Sequence, residues 1–167
     1  DSSKKLVTFV TGGDPDYITS KEILDKIIEK GADVIEIGMP FSDPMADGPT
    51  IQLASKRAID NGTNLETIFK ICNHIREKNF SIPIVLMGYY NVILHYGIKN
   101  FVDKINSIGV DGLIIVDLQP EEDQELYDSL KSKNIDLIRL ITPNTTSKRL
   151  SIITNQASGF LYYVTVT

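Results

Sequence analysis

Runs of apolar, strand-forming residues alternate with helix-like stretches along the whole chain, and the apolar runs are continuous rather than every-other-residue. Val34-Ile35, Ile37, residues 83–87 and residues 113–116 all read this way. A strand that is apolar on both sides is covered on both faces, which points to a parallel sheet wrapped by helices. A faint repeat supports this. Gly31-Ala32-Asp33-Val34-Ile35 and Gly109-Val110-Asp111-Gly112-Leu113-Ile114 share one syntax of helix stop, aspartate and buried strand. Repeated βα units leave two architectures, a doubly wound open sheet or a (β/α)8 barrel. No Gly-x-Gly-x-x-Gly follows the first strand, which counts against the dinucleotide-binding version of the open sheet. Polar residues gather at the carboxyl ends of the strands (Asp14, Glu36 to Asp47, Tyr89 to Asn91, Asp117, Asn144), where barrels carry their chemistry.

The pattern predicts strands over 6–10, 34–38, 83–87, 113–117, 137–141 and 160–166. Between them it predicts a helix opened by the capping-box pair Thr19 and Glu22 and stopped by Gly31. Further helices are predicted over 50–61 with Gly62 closing, from a cap at Asn64 to about 78, over 98–108 with Gly109 closing, over 121–133 after Pro120, and over 147–156. Six strands fall two short of a barrel. An open set of six leaves long unpaired edges, which promote association. The expectation is therefore a single (β/α)8 TIM barrel domain over residues 1–167, here about six of the eight βα units, with the C-terminal part missing.

The bulk numbers remove several function classes. The 167 residues are 42% apolar and 23% charged, with a net charge of −5 and no basic block, a poor match to nucleic-acid binding. No run approaches the length of a membrane span. Cys72, the single cysteine, lies on the apolar stripe Leu65, Ile68, Phe69, Cys72, Ile75 and reads as a core residue. That cysteine, two histidines and no metal-ligand spacing give no support to a zinc site. A reducing, cytoplasmic setting fits this usage.

The chemistry concentrates in Glu36-Ile37-Gly38-Met39-Pro40-Phe41-Ser42-Asp43-Pro44-Met45-Ala46-Asp47-Gly48-Pro49. Glu36 interrupts a buried strand. A carboxylate there is costly unless paired or used. It is either a structural acid, paired with a lysine or holding backbone N–H groups, or a general acid/base whose proton affinity is raised by apolar surroundings. Asp47 is either an early cap for the next helix or a second acid of the same site. Asp43 reads as a turn former. Phe9, Ile51, Met87, Tyr89 and Ile114 fall near strand ends and offer walls for a flat apolar ligand. Of the neighbours Tyr162 and Tyr163 one must face inward, where a buried glutamate is a candidate partner for its hydroxyl.

Two stretches, Phe9-Val10-Thr11-Gly12-Gly13-Asp14-Pro15 and Glu36 through Gln52, are similar to the tryptophan synthase alpha subunit family. Met87-Gly88-Tyr89-Tyr90-Asn91, Val110 to Asp117 and Pro120-Glu121-Glu122 extend the resemblance at steady spacing across the chain. It implies a (β/α)8 barrel that cleaves indole-3-glycerol phosphate to indole and glyceraldehyde 3-phosphate by a retro-aldol reaction, in tryptophan biosynthesis. It implies Glu36 as the general acid/base that protonates indole C3 and takes the glycerol hydroxyl proton. Asp47 is implied as the carboxylate that binds the indole N–H and stabilises the positive ring. Phe9, Ile51, Met87, Tyr89 and Ile114 match indole-pocket positions, and Tyr162 matches a tyrosine beside the catalytic glutamate. No cofactor is implied in this chain. Pyridoxal phosphate is expected only in a beta subunit, met in an alpha2-beta2 tetramer through the loop 40–47 from Pro40 to Asp47, with Asn91 and Asp117. Gln119 stands where the family commonly has proline, near the expected partner surface. The family's phosphate-binding loops fall after residue 167 and its N-terminal helix before residue 1, so the domain is expected to be incomplete at both ends. Three other readings stand beside this one, a stand-alone indole-releasing lyase, a non-catalytic activator of a beta subunit, and another phosphate-sugar barrel of the same fold group.

Overall fold

In a computed structural model that describes residues 3–78 and 81–165, the apolar runs pair into a parallel sheet. The first strands are β1 (Val7–Thr11), β2 (Val34–Gly38), β3 (Ile84–Gly88) and β4 (Gly112–Ile115), in sequence order within the sheet. Phe9 lies opposite Glu36, Glu36 opposite Val85, and Met87 opposite Ile114. The expected fifth strand is interrupted. β5 (Asp136–Leu137) pairs with β4, and β6 (Arg139–Ile141) pairs with β7 (Leu161–Tyr163). Ile138, between the halves, keeps the ladder continuous by donating its N–H to Leu113 O at 3.0 Å. Leu140 stands opposite Tyr162. The sixth strand is shorter than expected, and Val166 lies outside the described residues.

The helices are α1 (Tyr17–Glu29), α2 (Pro49–Asp60), α3 (Leu65–Lys78), α4 (Tyr90–Tyr96), α5 (Ile98–Ile108), α6 (Gln124–Ser132) and α7 (Ser147–Asn155). Capping chemistry sets their ends, with one correction. The cap of α1 is Asp16, whose Oδ1 accepts the Thr19 N–H at 2.9 Å, so Thr19 is capped rather than capping. Asn64 caps α3 as expected, taking the Thr67 N–H at 3.1 Å, and Gly109 closes α5 at φ 84°. The helix expected over 121–133 is a short 3₁₀ turn, Pro120–Glu122, and then α6, with Asp123 at the break. The sequence pattern gave no signal for α4, a seven-residue helix packed between Tyr89 and Gly97.

The pleat divides the core in two. Ile35, Ile37, Leu86 and Leu113 face outward onto α3 and α5, in a large cluster with Ile68, Phe69, Cys72, Phe101 and Ile105. The opposite face holds a small cluster of Val85, Ile114 and Ile138, against which Val34, Met87, Val116, Leu140 and Tyr162 pack. Tyr162 of β7 shares a cleft with Phe9 and Glu36 of β1 and β2, so the sheet curls until its last strand approaches its first. The inner face is where Glu36 points.

Candidate active site

Glu36 sits in mid-β2 with its side chain on the inner face, 2% exposed, and its Oε1 has no hydrogen-bond partner in the protein. Burial raises its pKa above the ordinary carboxyl value, because no cation among the described residues offsets the cost of ionising there. It opens onto a cleft of about 290 Å3, with Val7 and Phe9 on one side and Leu161, Tyr162 and Tyr163 on the other. Tyr162 is the inward member of its pair. Burial first, and then the charge of Glu36, raise its phenol pKa. Phe9 can lie against the end of β2 because residue 38 is glycine. A Cβ there would stand 2.8 Å from Phe9 Cζ.

Asp47 belongs to the loop between β2 and α2. It is not the cap of α2. Gly48 holds that position and Pro49 opens the helix, while the Asp47 carbonyl accepts Gln52 Nε2–H at 2.8 Å. Its carboxylate is held from the other side of the site. Tyr89, at the end of β3, donates its hydroxyl to Asp47 Oδ2 at 3.0 Å and accepts the Ala46 N–H at 2.9 Å. Burial pushes the Tyr89 phenol up to about 12; the Ala46 N–H opposes this and the Asp47 carboxylate adds to it. Tyr89 is therefore a protonated donor at any physiological pH, and one phenol fixes two consecutive residues of the loop. The Phe41 ring packs on it with centroids 5.1 Å apart.

The structure thus sorts the sequence candidates into two adjoining spaces. Phe9, Asp47, Ile51, Met87 and Tyr89 border one, a small cavity of about 20 Å3, enough for one water. Glu36 and Tyr162 border the larger cleft, and Phe9 borders both. Ile114 borders neither. It is fully buried behind Met87 and Tyr162 in the inner cluster. The smaller cavity is also lined by residues that the sequence did not mark as pocket walls, among them Thr11, Ser55 and Val116. Thr11 was findable, since it follows Phe9 by two in a strand and must share its face. Ser55 was not, because α2 presents it only once the loop has set the helix direction.

The expected partner residues lie on one side of the molecule. Phe41 borders a groove of about 610 Å3 with Pro44, Leu53 and Lys56, and another of about 490 Å3 with Asn91, Val92 and His95. Met45 is 89% and Leu53 58% exposed. Asp117 has a local task, since its Oδ1 accepts the Tyr90 N–H at 2.8 Å and so holds the start of α4. Among the described residues no cluster of three or more histidine, cysteine or acidic side chains is arranged to hold a metal ion, and no helix is long and apolar enough to cross a membrane.

Comparison with known proteins gives one consistent result. The family described as "Tryptophan synthase alpha chain" matches over residues 1–167. A protein of that description from Geobacter sp. (strain M21) is 51% identical over 164 residues, which is 98% of this chain and 61% of the relative. Another from Petrotoga mobilis is 48% identical over 99% of this chain and 64% of its own length. Thus the chain spans about three fifths of the length of the curated relatives it matches. Among solved structures, tryptophan synthase subunit alpha from Legionella pneumophila str. Paris superposes with a TM-score of 0.94 at 36% identity, over 98% of this chain and 62% of that one. A chain from the tryptophan synthase a2b2 complex of Pyrococcus furiosus gives 0.92 at 39% identity, over 97% of this chain and 68% of that one.

Proposed function

The chain belongs to the tryptophan synthase alpha chain family, its parallel sheet is part of a (β/α)8 barrel, and we propose that it carries the alpha reaction, cleavage of indole-3-glycerol phosphate to indole and glyceraldehyde 3-phosphate. The observation that carries this reading is Glu36, a buried carboxyl on the inner face of β2 with an unpaired oxygen and a cleft in front of it. A carboxyl that keeps its proton more strongly than usual is suited to giving a proton to a ring carbon and taking one from a hydroxyl. In the proposed step Glu36 protonates indole C3, which makes the ring the electron sink. The bond from C3 to the glycerol carbon then breaks as the hydroxyl proton leaves to the glutamate. The step balances within the substrate and Glu36: the glutamate gives one proton and regains one, the bond's electrons restore the ring, and the hydroxyl-bearing carbon leaves as the aldehyde. Asp47, held by Tyr89, stabilises the positive ring at its N–H edge. Phe9, Ile51, Met87 and Tyr89 are the ring's walls, and Ile114 and Tyr162 support them from behind and from β7. A bicyclic ring exceeds the present cavity at Asp47, so Phe9 or the loop from Pro40 to Asp47 yields when it enters.

The same reading includes a beta subunit that carries pyridoxal phosphate and docks on the loop from Pro40 to Asp47 with Asn91 and Asp117, in the cytoplasm. The apolar grooves on both sides of Phe41 support that surface. Relatives in solved tryptophan synthase complexes support an assembled enzyme.

The test is Glu36→Gln in the full-length protein, which preserves size and removes the titrating oxygen. Release of indole from indole-3-glycerol phosphate is expected to fall by about 10²–10⁴-fold, the usual contribution of a positioned acid/base. Cleavage at the wild-type rate by the glutamine variant would sink the proposal and leave a binding or activating role. Measuring turnover with and without a beta subunit separates an assembled synthase from a stand-alone lyase.

A further inference from the structure

One hydroxyl, that of Tyr89, holds both Asp47 Oδ2 and the Ala46 N–H, so Asp47 is only as well placed as that phenol. Tyr89 stands between the end of β3 and the start of α4, and the peptide units on either side of it are held by the chain leaving β4. Val116 donates its N–H to Gly88 O at 3.0 Å, and Asp117 Oδ1 accepts the Tyr90 N–H at 2.8 Å. The carbonyl of that second unit, Tyr89 O, accepts the Val92 N–H at 3.2 Å inside α4. The plane of the unit is thus pinned at both ends, at its N–H by a side chain 27 residues further along. Position 89 is the cap position of α4, and its tyrosine makes no side-chain cap bond. Asp, Asn or Ser at that position would cap the helix locally. The cap comes instead from Asp117, which leaves position 89 to a residue long enough to reach Asp47. Burial chiefly raises the Tyr89 phenol pKa, and the Asp117 charge adds to the rise after that of Asp47, so both acids act on the same phenol.

We propose that Asp117 is a positioning residue for the cleavage reaction: by holding the Tyr90 N–H it sets the backbone from which Tyr89 reaches Asp47, and so orients the carboxylate that meets the positive ring. The inference rests on the function proposed above and adds a residue to it. Tyr89 takes Oδ2 of Asp47 and leaves Oδ1 to the ring N–H, so the direct contact between carboxylate and ring is kept. A charge-stabilising group works only as well as the groups behind it hold it in place. Asp117 is exposed and its bond to Tyr90 uses one of its two oxygens, so the second can still meet a docking partner.

The experiment compares wild type, Asp117→Ala, Asp117→Asn, Tyr89→Phe and the double variant Tyr89→Phe with Asp117→Ala. All are full-length proteins, with a beta subunit added until the rate no longer changes, so that docking does not enter. Steady-state release of indole from indole-3-glycerol phosphate gives kcat and KM. The alanine variant is expected to lose about tenfold in kcat with a smaller change in KM, because the positive ring exists only along the reaction path. The asparagine variant keeps an acceptor oxygen for the Tyr90 N–H and is expected to recover most of that loss. In the Tyr89→Phe background the alanine change is expected to cost less than about twofold, since the hydroxyl through which Asp117 acts is gone. A residue that only caps α4 gives a different result: a lower melting temperature with kcat unchanged, or the same loss of kcat in both backgrounds. Either overturns the proposal, as does an asparagine variant as slow as the alanine. A wild-type protein that does not cleave the substrate removes the functional reading itself, and this inference with it.

Discussion

Two buried side chains with raised proton affinity make opposite predictions about accessibility. Cys72 is fully buried in α3, and burial pushes its thiol up to about 12. It is expected to ignore an aromatic disulfide reagent at pH 8 and to react at once in denaturant, which absorbance of the released thiolate reports. Glu36 faces a cleft and should titrate. Its folded pKa lies above the ordinary 4.5, so the folded state holds the proton more strongly than the unfolded one. The stability linked to Glu36 is complete below 4.5 and is lost as pH rises through the raised folded value. Denaturant midpoints of wild type and Glu36→Gln measured from pH 4 to 8 are expected to diverge, with the glutamine variant becoming the more stable of the two toward neutral pH. Parallel curves would mean that Glu36 is compensated by a cation. The acid was legible in the sequence because a charge in an apolar strand stands out. Ser55 was not, because α2 brings it to the Asp47 cavity only once the preceding loop has set the helix direction.

The elements were legible where one signal decided them. Strand β2 came out residue for residue, since Gly31, Asp33 and Gly38 bound an apolar run, and α5 did likewise between Gly97 and Gly109. They were illegible where long-range contacts decided. The fifth strand breaks at Ile138 because β5 follows β4 whereas β6 follows β7, a choice no local pattern encodes. The helix expected from Pro120 breaks at Asp123 because that carboxylate is fully buried against Arg139 of β6. Arg139 also donates to the Gln156 carbonyl and side-chain oxygens, both at 3.4 Å, so a single guanidinium joins β6, α6 and the end of α7. Removing one side of a buried pair strands the other. Arg139→Met is expected to cost about 3–5 kcal/mol in urea unfolding, and adding Asp123→Leu should restore most of it. If the single variant unfolds like wild type, the pair is not what holds these elements together.

At the scale of the whole molecule, the inner face of the sheet carries the proposed chemistry and one outer flank carries the proposed docking surface. They meet in the loop from Pro40 to Asp47, which presents Phe41 and Met45 outward and Asp47 inward. Leu53 lies on the flank without touching the cavity. Leu53→Asp is therefore expected to weaken association with a beta subunit by tenfold or more on the scale of an interface anchor, about 1.4 kcal/mol, while indole release by the alpha chain alone stays as it was. Titrating the beta subunit against activity checks both. The fold class was legible at this scale because a parallel sheet needs strands apolar on both faces. The approach of Tyr162 to Glu36 was legible in part, since one of Tyr162 and Tyr163 had to face inward toward a buried partner, and the family resemblance named which one. The two unequal cores have a bearing on descent with modification. The large outer cluster of Ile37, Ile68, Phe69 and Phe101 holds helices to sheet, while the small inner one and the cavity walls face the ligand. Because the residues that secure folding and those that would select a ring are on opposite sides of one sheet, such a scaffold can exchange its inner lining and acquire a new substrate with little loss of robustness.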